Sequence, residues 1–158
     1  MKVYSTDICV PISKLVECVS WAEKHVKDHG LIAPMVGHVG DGNFHSILLY
    51  DPQDKEKQKL IREYSDKLIE KALELDGTIT GEHGIGLQKK GYLLKEHPDN
   101  LPVMKSIKRS LDVNNIMNPG KVFDLNLKFN SRLYFLNNFY CFSQILFNWD
   151  KLSRTPRS

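Results

Sequence analysis

The sequence contains the stretch Gly37-His38-Val39-Gly40-Asp41-Gly42-Asn43-Phe44-His45, which has the pattern of two strands joined by a tight turn. An Asp-Gly pair favours a two-residue hairpin turn, and with Asp41 and Gly42 in that turn His38 is predicted to face His45. Residues that face each other in this way have Cβ atoms about 4.5–5.5 Å apart, so both imidazoles could reach one divalent metal ion. The alternative is an ordinary polar pair of histidines across the strands.

Hydrophobic periodicity on either side of the hairpin predicts an α+β domain. The expected elements before residue 81 are, in order, a strand over 3–10, a helix from its cap at Ser13 to Gly30, strands over 31–39 and 44–50, a helix over about 54–75, and a short strand over 78–80. This alternation is the split βαβ order, in which an antiparallel sheet has its helices on one face. We therefore expect a ferredoxin-like fold, followed by a C-terminal helical segment.

The composition argues against several other classes of protein. The 158 residues have a net charge of +3 without a basic run, which does not favour nucleic-acid binding, and no apolar stretch is long enough to predict a membrane span. The three cysteines, Cys9, Cys18 and Cys141, are scattered and odd in number. We expect them to be reduced thiols, with neither disulfides nor a thiolate metal site.

A second motif, Gly81-Glu82-His83-Gly84-Ile85-Gly86, follows the last predicted strand. In the predicted sheet that strand can lie beside a hairpin strand, which would bring Glu82 to the two histidines. Two histidines and one carboxylate leave coordination positions open, which is the pattern of a catalytic metal site. Asp41 is a second candidate carboxylate, although a turn aspartate more commonly bonds its own backbone. A glycine-rich turn with a solvated Glu-His pair is the non-functional alternative.

The other histidines have separate interpretations. His83 is predicted to point away from the metal and to act as a general base, since imidazole exchanges protons readily near neutral pH. His25 and His29 are spaced for chelation from one helix face, but neither belongs to the apolar stripe of the first helix, so we expect them on a solvated face. His97 precedes a proline in a loop and is expected at the surface without a partner.

Three motifs in register carry a resemblance to a known family: residues 38–45, residues 81–86 and the later stretch Asn118-Pro119-Gly120-Lys121-Val122-Phe123. In this order and spacing, and with the opening run over 4–11, they resemble the C-terminal domain of FAD-linked oxidases of the vanillyl-alcohol-oxidase type. The resemblance covers residues 3–123. It is greatest to the mitochondrial members that oxidise a D-2-hydroxy acid such as D-lactate and pass the electrons to cytochrome c.

The resemblance implies roles for several residues. Three of them match the family's divalent metal ligands: His38, His45 and Glu82. His83 matches the base beside the substrate, and Asn118 matches the asparagine that approaches the flavin ring. Asn43 is a candidate for a hydrogen bond to the substrate, with an ordinary turn role as its alternative. The implied cofactors are FAD and a divalent ion, either zinc or manganese, because imidazole and carboxylate ligands suit both metals.

Both ends of the sequence differ from the family pattern. FAD in this family is held mainly by a separate N-terminal domain, so we expect residues 1–123 to be a substrate- and metal-binding domain that is inactive without that half. Residues 124–158 carry eight of the fifteen aromatic residues, and we expect a divergent tail that is disordered or not native. We expect no targeting segment in the chain, and mitochondrial localisation is implied by the resemblance alone. Two alternatives without redox activity stay open, a stand-alone metal-binding module and an interaction protein.

Overall fold

The computed structural model of the chain describes residues 1–125, of which Met1–Asp124 form one compact unit. The strands are β1 (Lys2–Ser5), β2 (Ile8–Cys9), β3 (Met35–His38) and β4 (Asn43–Tyr50). The helices are α1 (Ile12–Asp28), α2 (Lys55–Glu74), α3 (Lys90–Glu96) and α4 (Leu101–Leu111). The predicted tail over 124–158 lies almost entirely outside the described residues.

Strand β4 lies at the centre of an antiparallel sheet. Strand β3 pairs along one side of it, and β1 and β2 pair along the other. Strands β1 and β2 share a single register, with Ser5 opposite Ile47 and Ile8 opposite Phe44, so they act as one interrupted strand. The order matches the predicted split βαβ arrangement, and helices α3 and α4 supply the predicted C-terminal helical segment. The predicted α+β class is confirmed.

The predicted fourth strand, over 78–80, is reduced to a single bridge. Thr78 and Cys9 exchange two backbone hydrogen bonds, with N to O distances of 2.7 and 3.2 Å. The pairing does not continue, because the backbone N–H groups of Gly81 and His83 are directed at the carboxylate of Asp7. The predicted position of the strand is correct and its predicted length is wrong.

The turn between β3 and β4 is longer than predicted. Val39–Asp41 form a 3-10 turn, and Gly42 follows with a φ of 78°. A two-residue type I′ turn needs positive φ at both central residues, and Asp41 does not adopt it. Gly42 instead packs against the chain after β2, where its carbonyl oxygen accepts a 3.0 Å hydrogen bond from the amide of Val10.

The longer turn changes the register of the hairpin. His38 lies opposite Asn43, and Val36 lies opposite His45. The predicted direct pairing of His38 with His45 is therefore wrong. A tight turn and a longer turn pair the same strand residues with different partners. The local sequence did not distinguish the two turns, because both accept an Asp-Gly pair.

The two long helices begin in different ways. Helix α2 begins close to its predicted start and is capped by Asp54, whose side chain accepts a 2.8 Å hydrogen bond from the amide of Lys57. Helix α1 begins at Ile12 directly after Pro11, so Ser13 lies inside the first turn and the prediction that it caps the helix is wrong. None of the helices within residues 1–125 combines the length and apolar character needed to cross a membrane.

The core lies between the helices and one face of the sheet. Side chains alternate along β4, so Ser46 points toward α2, where its Oγ lies 2.6 Å from the hydroxyl oxygen of Tyr64. Asn43 and His45 point to the opposite face of the sheet. Both are nevertheless buried, because the segment after Thr78 folds over them. The fold thus builds a polar cluster on the face of the sheet opposite α2.

Candidate metal centre and its surroundings

The carboxylate of Glu82 lies between the two histidines of the hairpin. Its Oε1 atom is 2.8 Å from Nε2 of His45, and its Oε2 atom is 3.6 Å from Nε2 of His38. The loop after Thr78 carries Glu82 over the sheet, so the shift in hairpin register does not separate the group. The structure therefore brings together the three residues that the sequence predicts as metal ligands.

His45 is the most firmly oriented of the three. Only 9% of its side chain is exposed, against 63% for His38 and 47% for Glu82. Its Nδ1 atom lies 3.0 Å from the carbonyl oxygen of Thr6, and a carbonyl can only accept, so Nδ1 carries a proton. The Nε2 atom then faces an anionic oxygen and needs either a second proton or a cation. A divalent ion bound by Nε2 satisfies that requirement, so the donor set fits a metal.

His83 does not point away from this group, which corrects the predicted orientation. Its ring stacks on the ring of His45, with centroids 4.8 Å apart and an angle of 5° between the planes. Its Nε2 atom lies 3.9 Å from Oε1 of Glu82, and about half of the side chain is exposed. A half-exposed imidazole beside the cluster is accessible to a molecule that approaches the cluster from solvent.

Asp7 is a residue of the site that the sequence analysis missed. It is buried opposite His45, and its carboxylate accepts hydrogen bonds from the hydroxyl of Thr80 at 2.6 Å and from the amides of Gly81 and His83 at 2.9 and 3.0 Å. Burial by itself would raise the pKa of Asp7, but these hydrogen bonds and the charge of Lys89 outweigh it and hold the pKa well below its ordinary value. Asp7 is therefore a fixed anion beneath the loop.

Donor atoms of Asp7, His45 and His83 also lie within 4.8 Å of one another, which makes a second possible ligand group. The oxygens of Asp7 already accept hydrogen bonds from side chains and backbone amides. Within residues 1–125, the carboxylate of Glu82 has one hydrogen-bond partner, His45, whose proton a metal can replace. Glu82 is therefore the better carboxylate ligand. Asp41, the rival carboxylate of the sequence analysis, lies in the exposed 3-10 turn, and its carbonyl oxygen accepts a hydrogen bond from the thiol of Cys9.

Asn43 is buried below the cluster. Its amide group donates to Oδ1 of Asp7 at 3.0 Å and to the carbonyl oxygen of Ile8 at 2.8 Å, so both amide hydrogens are used inside the protein. The Oδ1 atom of Asn43 has no partner among the described protein atoms. Its side-chain oxygen is thus the group that remains for water or a ligand, and the predicted contact with substrate stays a prediction.

Asn118 lies in a segment that is hydrogen-bonded to the loop over residues 79–89, which we call the His83 loop. The amide of Val122 donates a 2.8 Å hydrogen bond to the carbonyl oxygen of Gly86, and Lys90 binds the carboxylate of Asp124 at 2.8 Å. Asn118 itself is exposed and has a φ of 47°, in the left-handed region that asparagine tolerates. Its predicted contact with the flavin stays a prediction.

The histidines outside the cluster only partly match expectation. His29 is exposed as predicted, but His25 is half-buried and stacks on both Trp21 and His29, at centroid distances of 5.1 and 4.1 Å. The prediction that both lie on a solvated face is therefore wrong for His25. His97 lies 3.4 Å from the carboxylate of Glu96, so it has the partner that the sequence analysis did not foresee.

Comparison with known proteins places the chain in a family. Residues 1–122 match the family model described as FAD linked oxidases, C-terminal domain. The chain belongs to this family. Proteins of the family are linked to FAD, so membership makes FAD the cofactor of the enzymes that contain such a domain. The resemblance inferred from the three motifs is confirmed.

Several curated relatives are similar over the same region. The Probable D-lactate dehydrogenase, mitochondrial, of Danio rerio is 46% identical over 125 residues, which is 78% of this chain and 25% of the relative. The D-lactate dehydrogenase [cytochrome], mitochondrial, of Arabidopsis thaliana is 43% identical over 118 residues, 74% of this chain and 21% of the relative. The matched region thus spans about a quarter or less of the length of these relatives.

A solved structure is similar in fold. The 4-ethylphenol oxidase from Gulosibacter chungangensis, in its isoeugenol complex, matches with a TM-score of 0.54 and 21% identity. The match covers 80% of this chain and 25% of that one. It supports the fold of the chain.

Proposed function

We propose that the chain is the substrate- and metal-binding part of an FAD-dependent D-2-hydroxy-acid dehydrogenase, and that D-lactate, oxidised to pyruvate, is its substrate. The observation that carries the proposal is the placement of Glu82 between His45 and His38, with distances of 2.8 and 3.6 Å. Two imidazoles and one carboxylate on an accessible surface match a metal site that keeps positions open for a ligand. The domain proposed for this role is 1–123.

His38, His45 and Glu82 would hold the divalent ion, which is zinc or manganese in this proposal. When bound, the ion supplies positive charge that favours the alkoxide form of a hydroxyl group. The tautomer of His45 is already set by Thr6, so its Nε2 atom faces the proposed ion without a rearrangement of the ring. His38 and Glu82 are more exposed and would close around the ion.

His83 is proposed as the base that removes the hydroxyl proton of the substrate. Its ring is held parallel to His45 by stacking, and its backbone amide is anchored to Asp7, so both ends of the residue are constrained. The half-exposed side chain can take a proton from a molecule at the cluster and release it to solvent. Asn43, with its remaining amide oxygen, is proposed to contact the substrate or a water beside it.

When bound, FAD would supply the acceptor for the hydride, since the family is linked to this cofactor. The face of the sheet that carries His38 also exposes Val36 and Ile32, each with 56% of its surface accessible, and the apolar face of a flavin ring would pack on such side chains. Asn118 is proposed to contact the flavin. FAD is proposed to be held mainly by a domain beyond this chain, since the matched region is a quarter of the Danio rerio relative.

The choice of D-lactate follows the Danio rerio and Arabidopsis thaliana relatives, both of which are named as D-lactate dehydrogenases. Cytochrome c as electron acceptor and a mitochondrial location are proposed on the same basis. A glycolate oxidase subunit of Bacillus subtilis is also 36% identical over 118 residues, so other small 2-hydroxy acids are the competing substrates.

An exchange of segments tests the proposal. The matched 125 residues of the Danio rerio protein would be replaced by the corresponding residues of this chain, and oxidation of D-lactate, glycolate and D-2-hydroxyglutarate would be measured with a dye as acceptor. We expect turnover with D-lactate, and we expect His83→Ala to abolish it while metal and flavin stay bound. The matched control is His97→Ala, which removes a histidine outside the cluster. A chimera that binds flavin and metal and oxidises none of the three acids would favour a metal-binding module without redox activity.

A further inference from the structure

The carboxylate of Asp7 accepts hydrogen bonds from four consecutive residues at the start of the His83 loop. Three consecutive backbone amides, those of Gly81, Glu82 and His83, donate to it at 2.9, 3.2 and 3.0 Å, and the hydroxyl of Thr80 donates at 2.6 Å. Successive N–H groups that surround one anion form a concave nest. The buried carboxylate of Asp7 therefore stabilises the conformation of the loop above it.

Lys89 fixes the other end of the same loop. Its ammonium group donates to the carbonyl oxygens of Asp7 and Ile79, at 2.7 Å each, and lies 3.5 Å from Oδ2 of Asp7. These two carbonyls belong to neighbouring segments, so the lysine joins them where the backbone pairing of Thr78 has ended. It also supplies the positive charge that a buried carboxylate requires.

Asp7 also contacts the sheet below the loop. Its Oδ1 atom accepts the amide of Asn43 at 3.0 Å and lies 3.6 Å from Nδ1 of His45. One carboxylate thus touches the hairpin strand that carries one proposed metal ligand and the loop that carries another. The distance between His45 and Glu82 depends on both contacts.

We propose that Asp7 is a positioning residue that holds Glu82 and His83 against His45, with Lys89 as its counter-ion. The proposal rests on the proposed function for the roles of Glu82 and His83, but the geometry it predicts exists without metal or flavin. Substitution by asparagine keeps the shape of the side chain and replaces one accepting oxygen with an N–H donor. In either orientation of the new amide, this donor faces existing donors, the loop amides on one side or the amide of Asn43 on the other, so the loop would be held less tightly.

The test is hydrogen exchange in the chelator-treated 158-residue chain, followed at the amides of residues 81–83 and, as an internal reference, in helix α2. In Asp7→Asn we expect loop exchange to be faster by about tenfold or more while α2 is unchanged, because only the local opening becomes easier. The matched control, Asp41→Asn, replaces an exposed aspartate of the 3-10 turn and should exchange like the unsubstituted chain. Unchanged loop exchange in Asp7→Asn with α2 intact would overturn the proposal.

A second variant covers the case in which Asp7→Asn does not fold. Thr80→Val keeps the shape of residue 80 and removes the 2.6 Å donor, so loop exchange should accelerate to a smaller extent, and unchanged exchange would overturn the proposal. Affinity for Zn²⁺ or Mn²⁺ adds a readout that fold stability alone does not move. We expect it to fall about 10- to 100-fold in Asp7→Asn, the usual cost of losing a group that orients a ligand. If the unsubstituted chain binds neither ion, the proposed metal site fails, and the exchange data still decide the role of Asp7.

Discussion

Oε1 of Glu82 lies 2.8 Å from Nε2 of His45, although the two residues are 37 positions apart and belong to different elements. His45 lies in the central strand of the sheet, and Glu82 lies in a loop that passes over it. The opposite nitrogen of His45 is bound to the carbonyl of Thr6. The contact is therefore directed, with one ring nitrogen assigned to the protein backbone and the other to the cluster.

The two histidines of the cluster should contribute unequally to metal binding. His45 is buried and already oriented, whereas His38 is 63% exposed and must be ordered when a metal binds. Since ordering an exposed side chain costs about 0.5–1.5 kcal/mol, we expect His45→Ala to weaken Zn²⁺ affinity at least several-fold more than His38→Ala. Competition with a chromophoric chelator measures both. Equal losses would contradict the assignment of His45 as the preorganised ligand.

Gly81 should not tolerate a side chain. A Cβ atom at this position would lie 1.9 Å from Nδ2 of Asn43, which is itself held by Asp7. We expect Gly81→Ala to displace the loop and to lower Zn²⁺ affinity by about tenfold or more, as loss of ligand positioning does. Gly91→Ala is the matched control, because a Cβ there meets nothing within 4 Å, and it should bind Zn²⁺ normally. Normal affinity in Gly81→Ala would show that the loop position does not control the site.

The buried pair Ser46 and Tyr64 should behave as one energetic unit. Their hydroxyl oxygens are 2.6 Å apart, and both residues are fully buried. Removing one partner leaves a buried hydroxyl unsatisfied, so Ser46→Ala or Tyr64→Phe alone should lower the free energy of unfolding by about 1–3 kcal/mol. The double variant should cost little more than either single change, as urea denaturation would measure. Fully additive losses would exclude the coupling.

Most of the fold was predictable because its signals are local. Apolar periodicity predicts α2, and Gly42 correctly marks the turn between β3 and β4. The register was not predictable in the same way. It depends on the contact of Gly42 with Val10, which lies more than thirty residues earlier in the chain.

In the candidate site, too, the local signals were predictable and the long-range contacts were not. His38, His45 and Glu82 were found because imidazoles and a carboxylate next to glycines are a visible chemical pattern. Asp7 was missed because it is a single acidic residue between β1 and β2, and its partners Asn43 and Thr80 lie 36 and 73 positions away. Only the folded structure shows that the carboxylate of Asp7 accepts hydrogen bonds from the loop.

Stability should decrease at alkaline pH. Burial raises the pKa of Tyr64 to about 12 and that of Cys18 to about 11, from ordinary values of 10.0 and 9.0. Both groups stay neutral in the folded chain while they ionise in the unfolded chain, so their contribution is fully present below pH 9 and is lost progressively up to about pH 12. Tyr64→Phe should lose less stability than the unsubstituted chain between pH 10 and 12. Parallel pH profiles of the unfolding free energy would contradict this.

The most direct measurement is the metal content of the purified 158-residue chain, after exchange into metal-free buffer and supply of Zn²⁺ or Mn²⁺ in turn. It would be compared with the His38→Ala/His45→Ala variant and with His29→Ala, which removes an exposed histidine of α1's C-terminal end. We expect about one ion per chain in the unsubstituted chain and in His29→Ala, and none in the double variant, because the ligands lie within one folded unit. An equal metal content in all three chains, or no bound ion in any of them, would contradict a metal site built from His38, His45 and Glu82.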